Sequence, residues 1–253
     1  MNRNGDEMQI EDERPAPKPR KHATLWQAYL FWLELVEMRK RHNLRITAVE
    51  RGKSNMDADF ERAAMGRLDI DARIDEAKGE MVEFGEQVGP VWEWLTSIKG
   101  LGQGGLAAQL LAQIDDVAKF ATVSKLWRFC GYAVIDGAID KPTRGEKLPY
   151  NRRLKSIGYL IAEQFIRQQT PHYVDIYYDE KQRQARLHPE LTPGHMHNRA
   201  IRKMVKIFLQ HVWVTWRQSE GLLVTEPYVQ SVLGHTNIVT IGPMAIRQEA
   251  DSA

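Results

Sequence analysis

A glycine-rich segment at residues 98–108 (Ile-Lys-Gly-Leu-Gly-Gln-Gly-Gly-Leu-Ala-Ala) has residue types that can bind phosphate. An apolar residue, then Gly-Leu-Gly, then small residues that open a helix are typical of a helix-hairpin-helix turn. Gly100 and Gly102 can adopt the positive φ angles that such a turn needs. Backbone N–H groups at the start of the next helix would then point toward an anion, together with the positive end of the helix dipole. The alternative is a plain connection between two core helices.

Cationic side chains are concentrated in the second half of the chain. Residues 141–217 contain 15 Lys or Arg against 6 Asp or Glu, whereas residues 46–90 contain 6 against 11, although the whole chain has a net charge of only +2. Blocks of opposite sign favour a polyanionic partner for the basic part. The candidate DNA-binding residues are Lys99, Gly100, Gly102, Gln103, Lys125, Arg128, Lys141, Arg144, Lys147, Arg152, Arg153, Arg199, Arg202, Lys203 and Lys206. Such cations neutralise phosphates with little regard to base sequence. The alternative is that they belong to ordinary solvated surfaces.

Metal-binding patterns are weak in this sequence. His188, Glu190, His195 and His197 lie close together, but their spacing matches no common set of ligands, so we expect a polar turn there. Asp115 is better explained as a helix terminator than as part of a two-metal nuclease site, which needs several converging carboxylates. We expect no cofactor in this chain, and Mg²⁺ only if a separate nuclease domain is recruited.

The hydrophobic periodicity predicts an all-α fold. A helix over about residues 25–50 is followed by a heptad pattern that runs from Phe60 to Val88. A heptad pattern is typical of a coiled coil, and the short connection predicts a long antiparallel helical hairpin. A spacer, a dimer arm and a nucleic-acid clamp would all fit this hairpin.

The chain divides into four parts by composition and pattern. We expect a disordered tail over residues 1–22, the helical hairpin over 23–90, a helix-hairpin-helix domain over 91–219 and a loosely ordered extension over 220–253. Within the third part, the patterns predict a loop over 136–150 and helices over about 151–169, 173–187 and 198–219. The last of these helices places Arg199, Arg202, Lys203 and Lys206 on one side.

The composition also bears on location. Cys130 is the single cysteine, which excludes a disulfide framework and zinc sites built on cysteine pairs. No N-terminal signal and no apolar run of about 18 residues is present. We therefore expect a cytoplasmic protein with no membrane partner, and a homo-oligomer formed through the helical hairpin.

Four short motifs follow one another in an order found in one family. Ile98-Lys-Gly-Leu-Gly, residues 111–132, Asn151-Arg-Arg-Leu-Lys and Asn198-Arg-Ala-Ile-Arg-Lys-Met-Val come after the helical hairpin. This order resembles the coiled coil and C-terminal domain of the DEDD-type transposases and Piv-like invertases, over about residues 25–217. The resemblance implies a helical domain that binds duplex DNA and, in family members, a structured guide RNA.

The resemblance also implies an active site divided between an N-terminal RuvC-like domain with metal-binding carboxylates and a serine nucleophile. That serine would lie in the loop before Asn151, where Thr143 is the only aliphatic hydroxyl, and only about 24 residues precede the hairpin. We therefore expect a DNA-binding, transposase- or recombinase-like protein that lacks the RuvC-like half and is inactive alone. The alternatives are a non-catalytic nucleic-acid-binding regulator or domesticated fragment, and a structural coiled-coil dimer.

Overall fold

The computed structural model describes residues 19–135, 138–139 and 143–224, and the prediction of an all-α fold is confirmed for them. The helices are α1 (Ala23–Glu50), α2 (Ala58–Leu68), α3 (Ile70–Glu86), α4 (Pro90–Ser97), α5 (Gly105–Ile114), α6 (Val123–Phe129), α7 (Arg152–Gln168), α8 (Tyr173–Leu187) and α9 (Pro193–Ser219). A 3₁₀ turn (Val117–Lys119) follows α5, and two short strands, β1 (Val134–Ile135) and β2 (Ala138–Ile139), pair antiparallel within the described part of the predicted loop. Most of the predicted tail and extension, residues 1–18 and 225–253, lies outside the described residues.

Helices α2 and α3 return along α1. Near the far end of α1, the carboxylate of Glu61 contacts His42, and further back Arg39 donates to Asp71 at 2.6 Å. Leu35 packs with Ile74. The order of these contacts shows that α1 runs antiparallel to α2 and α3.

The heptad segment forms two helices and not one. Asp69 adopts a left-handed conformation with φ of 46°, which Asp tolerates better than most residues, and this ends α2 and begins α3. The break changes the face that the first half presents: Phe60 is 62 % exposed, whereas Ile74 and Met81 are buried. The predicted seam therefore packs inward only in α3.

Helix α9 lies at the centre of the helices that follow the hairpin. Helices α4, α6, α7 and α8 all pack against it, and its Phe208, Trp213 and Trp216 are fully buried. The indole N–H of Trp213 donates to the carbonyl of Phe120 at 2.7 Å, which satisfies the one polar group that this ring buries. Helix α5 packs between α3 and α7.

Capping residues explain where the two functional helices begin. Asn151 accepts from the N–H of Leu154 at 3.0 Å and starts α7 as predicted. Helix α9 begins at Pro193, five residues before the predicted start, because Thr192 accepts from the N–H of His195 and proline suits the first helical position. The polar turn predicted up to His197 is therefore shorter than expected.

Candidate nucleic-acid interface

A cleft of about 830 Å³ lies between α7 and α9. Each helix contributes residues at positions i, i+3, i+4 and i+7, a spacing that places all four on one helix face. They are Arg152, Lys155, Ser156 and Tyr159 of α7 and His195, Asn198, Arg199 and Arg202 of α9. The two helices therefore present matched, mostly cationic faces to the same space.

Tyrosine rings and small residues shape the inner end of this cleft. The hydroxyl of Tyr132 donates to the carbonyl of Lys155 at 2.7 Å, and a Cβ at Gly158 would come within 2.8 Å of that hydroxyl. Tyr150 packs on Gly131, which has φ of +73° and whose Cβ, if present, would lie 2.7 Å from the ring. The ammonium of Lys155 lies 4.5 Å from the centroid of the Tyr150 ring. Glycine at positions 131 and 158 thus permits this placement of the tyrosines.

The charge of the cleft is positive. Arg152, Lys155, Arg199 and Arg202 line it, and the described lining residues include no Asp or Glu. Partial burial lowers the pKa of Arg202, and the nearby charge of Arg199 lowers it further. Cations that repel one another without a neighbouring carboxylate are stabilised by an anion that enters between them.

The cations of α9 do not all face the same partner, contrary to the sequence prediction. Arg199 and Arg202 line the cleft, whereas the ammonium of Lys203 donates to the buried carboxylate of Glu180 at 2.9 Å. Lys206 lies 4.1 Å from the centroid of the Trp127 ring, and its pKa is lowered by burial and then by the charge of Arg202. Lys203 therefore has a structural partner, while Arg199 and Arg202 are directed to the cleft.

Arg199 is held in place without losing its charge to a carboxylate. Its guanidinium donates to the side-chain carbonyl of Gln184 at 2.8 Å, and the amide of Gln184 in turn donates to Glu180. An amide orients the guanidinium but does not neutralise it. Arg199 can therefore still bind an anion in the cleft.

The glycine turn between α4 and α5 differs in detail from the prediction. Gly100 has the expected positive φ, of 95°, but the second positive φ, of 71°, belongs to Gly104 and not to Gly102. A Cβ at Gly104 would lie 3.0 Å from the Trp92 ring and 3.1 Å from Val82. The close approach of α3 and α4 therefore requires glycine at residue 104.

The start of α5 is partly covered. The N–H groups of Gly104 and Gly105 donate within the turn, to the carbonyls of Leu101 and Gln103, at 2.9 and 2.8 Å. The side chain of Lys78 lies against Gly105, where a Cβ would be 2.9 Å from its Cε. An anion at this helix end would therefore have Lys78 as a neighbour but two fewer N–H donors than predicted.

A second groove, of about 730 Å³, opens beside the glycine turn. Gly100, Gly102 and Gln103 line it, together with residues of α1 and α3 and Gln164 and Gln168 from the end of α7. Ser156, the cleft residue of α7 nearest among the helix's middle turns, precedes Gln164 by eight residues, about 12 Å along the helix. The predicted phosphate seat is therefore a separate place from the cleft between α7 and α9.

The remaining predicted contacts are surface cations outside both cavities. Lys99, Lys125, Arg128, Arg144, Lys147 and Arg153 are exposed, and Lys141 lies outside the described residues. The sequence analysis missed Lys155, Tyr150 and Tyr159. Their signal was present, because residues 152, 155 and 159 share the spacing that was recognised on the last helix.

No metal centre is formed by the described residues, among which no three His, Cys, Asp or Glu side chains are grouped to hold an ion. His188 pairs with Glu190 at 3.2 Å, and His197 contacts the hydroxyl of Tyr177 at 2.8 Å, while His195 lines the cleft. Asp115 ends α5, as predicted. Its burial alone would raise its pKa, but the contact with Lys119 and the hydrogen bond from the N–H of His22 lower that pKa below the usual range.

Comparisons with known proteins give no family. No protein-family model matches the chain, and no curated protein and no solved structure matches it. The resemblance to the DEDD-type transposases therefore rests on the short motifs and their order. Across the described ranges, no helix combines the length and the apolar character needed to cross a bilayer.

Proposed function

We propose that this chain is a DNA-binding protein of the transposase or site-specific recombinase kind, which acts in DNA transposition or recombination and binds phosphates in the cleft between α7 and α9. The observation that carries the proposal is the convergence of Arg152, Lys155, Arg199 and Arg202 on one space whose described lining contains no carboxylate. A phosphate backbone supplies the anions that this arrangement lacks. The order of the sequence motifs supports the transposase-like assignment.

We further propose that α4, the glycine turn and α5 act as a helix-hairpin-helix motif, and that α1 to α3 act as a coiled-coil arm. The positive φ angles of Gly100 and Gly104 support the first assignment. The antiparallel packing of α1 on α3 supports the second, and the exposed Phe31 and Phe60 on its outer surface offer apolar area to a second copy of the chain.

Two functional classes remain to be separated, a recombinase subunit that needs a nuclease partner and a non-catalytic regulator. The chemistry of the described cleft is binding chemistry: cations, amides and phenols. A cleavage assay on supercoiled DNA with Mg²⁺ is therefore expected to show no nicking by this chain alone. Nicking that depends on the purified chain would assign a catalytic role that the proposal does not include.

Salt dependence tests the binding proposal. The affinity for a labelled duplex oligonucleotide, measured by fluorescence anisotropy, should be high at low salt and fall steadily as salt rises. The slope of log affinity against log salt is about −0.9 for each phosphate neutralised, so four cations predict a slope of about −3 to −4. Undetectable binding at low salt, or an affinity that does not change with salt, would show that the proposal is wrong.

A further inference from the structure

The cleft between α7 and α9 contains more than phosphate binding requires. Besides its cations, it is lined by the rings of Tyr132, Tyr150 and Tyr159 and by the aliphatic side chains of Leu191 and Ile201. Aliphatic and aromatic walls add nothing to the grip on a phosphate. They are, however, the surfaces that bind the faces of nucleobases. A site with both kinds of surface is suited to a phosphate and a base together.

The dimensions of the cleft limit what can enter it. Its volume of about 830 Å³ lies in the range of small-molecule sites, about 300–1,000 Å³. The cleft face of α7 runs from Arg152 to Tyr159, seven residues or about 10 Å. A stacked base pair cannot follow such a short, enclosed face, whereas a single nucleotide can. The cleft is therefore of nucleotide size and not of duplex size.

We propose that the cleft between α7 and α9 binds an unpaired nucleotide of the nucleic acid, with its phosphate between the arginines and its base against the tyrosines. The inference rests on the proposed DNA-binding function and adds which part of the nucleic acid this site takes. A bulged or extruded nucleotide and a single strand share this chemistry. Paired regions would contact only the cations at the rim of the cleft.

Tyr159 is the side chain best placed to stack on the base. It lines the cleft and is 41 % exposed. Glu163, one helical turn later, hydrogen bonds to its phenol and orients the ring. Glu163 itself lies 3.8 Å from the Nε2 atom of His197 in α9. The ring is thus positioned by both walls of the cleft, which reduces the entropy that a stacked base would cost.

Three labelled DNA probes of one sequence test this inference with the full chain: a paired duplex, the same duplex with one bulged nucleotide, and a single strand. We expect the bulged and single-stranded probes to bind about tenfold more tightly than the paired duplex, since one stacked base contributes a factor of this order. Tyr159→Ala should abolish that preference, and Tyr159→Phe should retain it. An RNA copy of the bulged probe, tested in parallel, shows which nucleic acid supplies the nucleotide.

Two variants separate the possible failures. Arg202→Ala should weaken binding of all three probes, because it removes a phosphate contact. If the wild-type chain binds all three probes equally while Arg202→Ala still weakens them, the unpaired-nucleotide inference is wrong and DNA binding stands. If no probe binds at low salt, both fail. A preference that persists in Tyr159→Ala, with the thermal unfolding midpoint unchanged, also overturns the inference.

Discussion

The ammonium of Lys203 in α9 lies 2.9 Å from the carboxylate of Glu180 in α8, a side chain that is only 4 % exposed. Arg183 and Gln184 of α8 donate to the same carboxylate. This buried contact fixes how α9 is rotated about its axis against α8. Because residue 202 immediately precedes Lys203, the contact also determines that Arg202 faces the cleft. The site thus depends on an ion pair that does not itself line it.

Replacing Lys203 should therefore affect the fold more than its charge suggests. We expect Lys203→Met to lower the free energy of unfolding by about 1–3 kcal/mol, because the buried Glu180 loses one of its donors. Urea unfolding at pH 7 measures this loss. Lys40→Met, which removes an exposed cation of α1, is the matched control and should change stability by less than about 0.5 kcal/mol. Equal stability of the two variants would show that the Glu180 contact is not structural.

The stability of the protein should fall in acid partly through Glu180. Burial alone would raise the pKa of Glu180, but the hydrogen bonds from Lys203 and Gln184 lower it below the usual value. A carboxylate whose pKa is lowered by folding contributes stability above its unfolded pKa of about 4.3, and this contribution is lost as pH falls through the folded value.

Urea unfolding of the wild type and of Glu180→Gln at several pH values tests that expectation. The variant should be less stable at pH 7, and the difference should shrink as the pH drops below about 4. A difference that stays constant across this range would mean that the ionisation of Glu180 does not contribute to stability.

Glycine at residue 104 should be required for the turn between α4 and α5. Alanine there must adopt φ of +71° and place its Cβ 3.0 Å from the Trp92 ring, so Gly104→Ala should cost about 1–3 kcal/mol. Gly79→Ala is the matched control, because Gly79 lies inside α3 with nothing within 4 Å of an added Cβ. It should stabilise the chain by up to about 1 kcal/mol. Thermal unfolding midpoints that move the same way would contradict the account of the turn.

Local signals in the sequence predicted most helices. Asn151 caps α7 and residues 173–187 form α8 as expected, because these ends depend on neighbouring residues. The break at Asp69 was not predicted, since the heptad pattern continues through it and only the packing of α3 on α1 decides which half faces inward. The start of α9 was misplaced because Pro193 and Gly194 resemble a turn when Thr192 is not recognised as a cap.

The candidate site was predicted only in part. Arg152, Arg199 and Arg202 were named from the basic composition. The pairing of α7 with α9, which brings them together, depends on contacts between residues about 40 positions apart, and no local pattern reports it. For the same reason Lys203 could not be separated from Arg202, its neighbour in sequence, until Glu180 was seen beside it.

Arg202 provides the most direct test of the proposed function. The measurement is the salt dependence of affinity for a labelled duplex, from about 50 to 200 mM salt, with wild type, Arg202→Ala and Arg186→Ala compared. Arg186 is an exposed cation of α8 that does not line the cleft. We predict that Arg202→Ala weakens binding uniformly across DNA sequences and reduces the slope by about 1, whereas Arg186→Ala leaves both unchanged. If the two variants behave alike, or if the wild-type chain does not bind, the cleft between α7 and α9 is not a DNA-binding site.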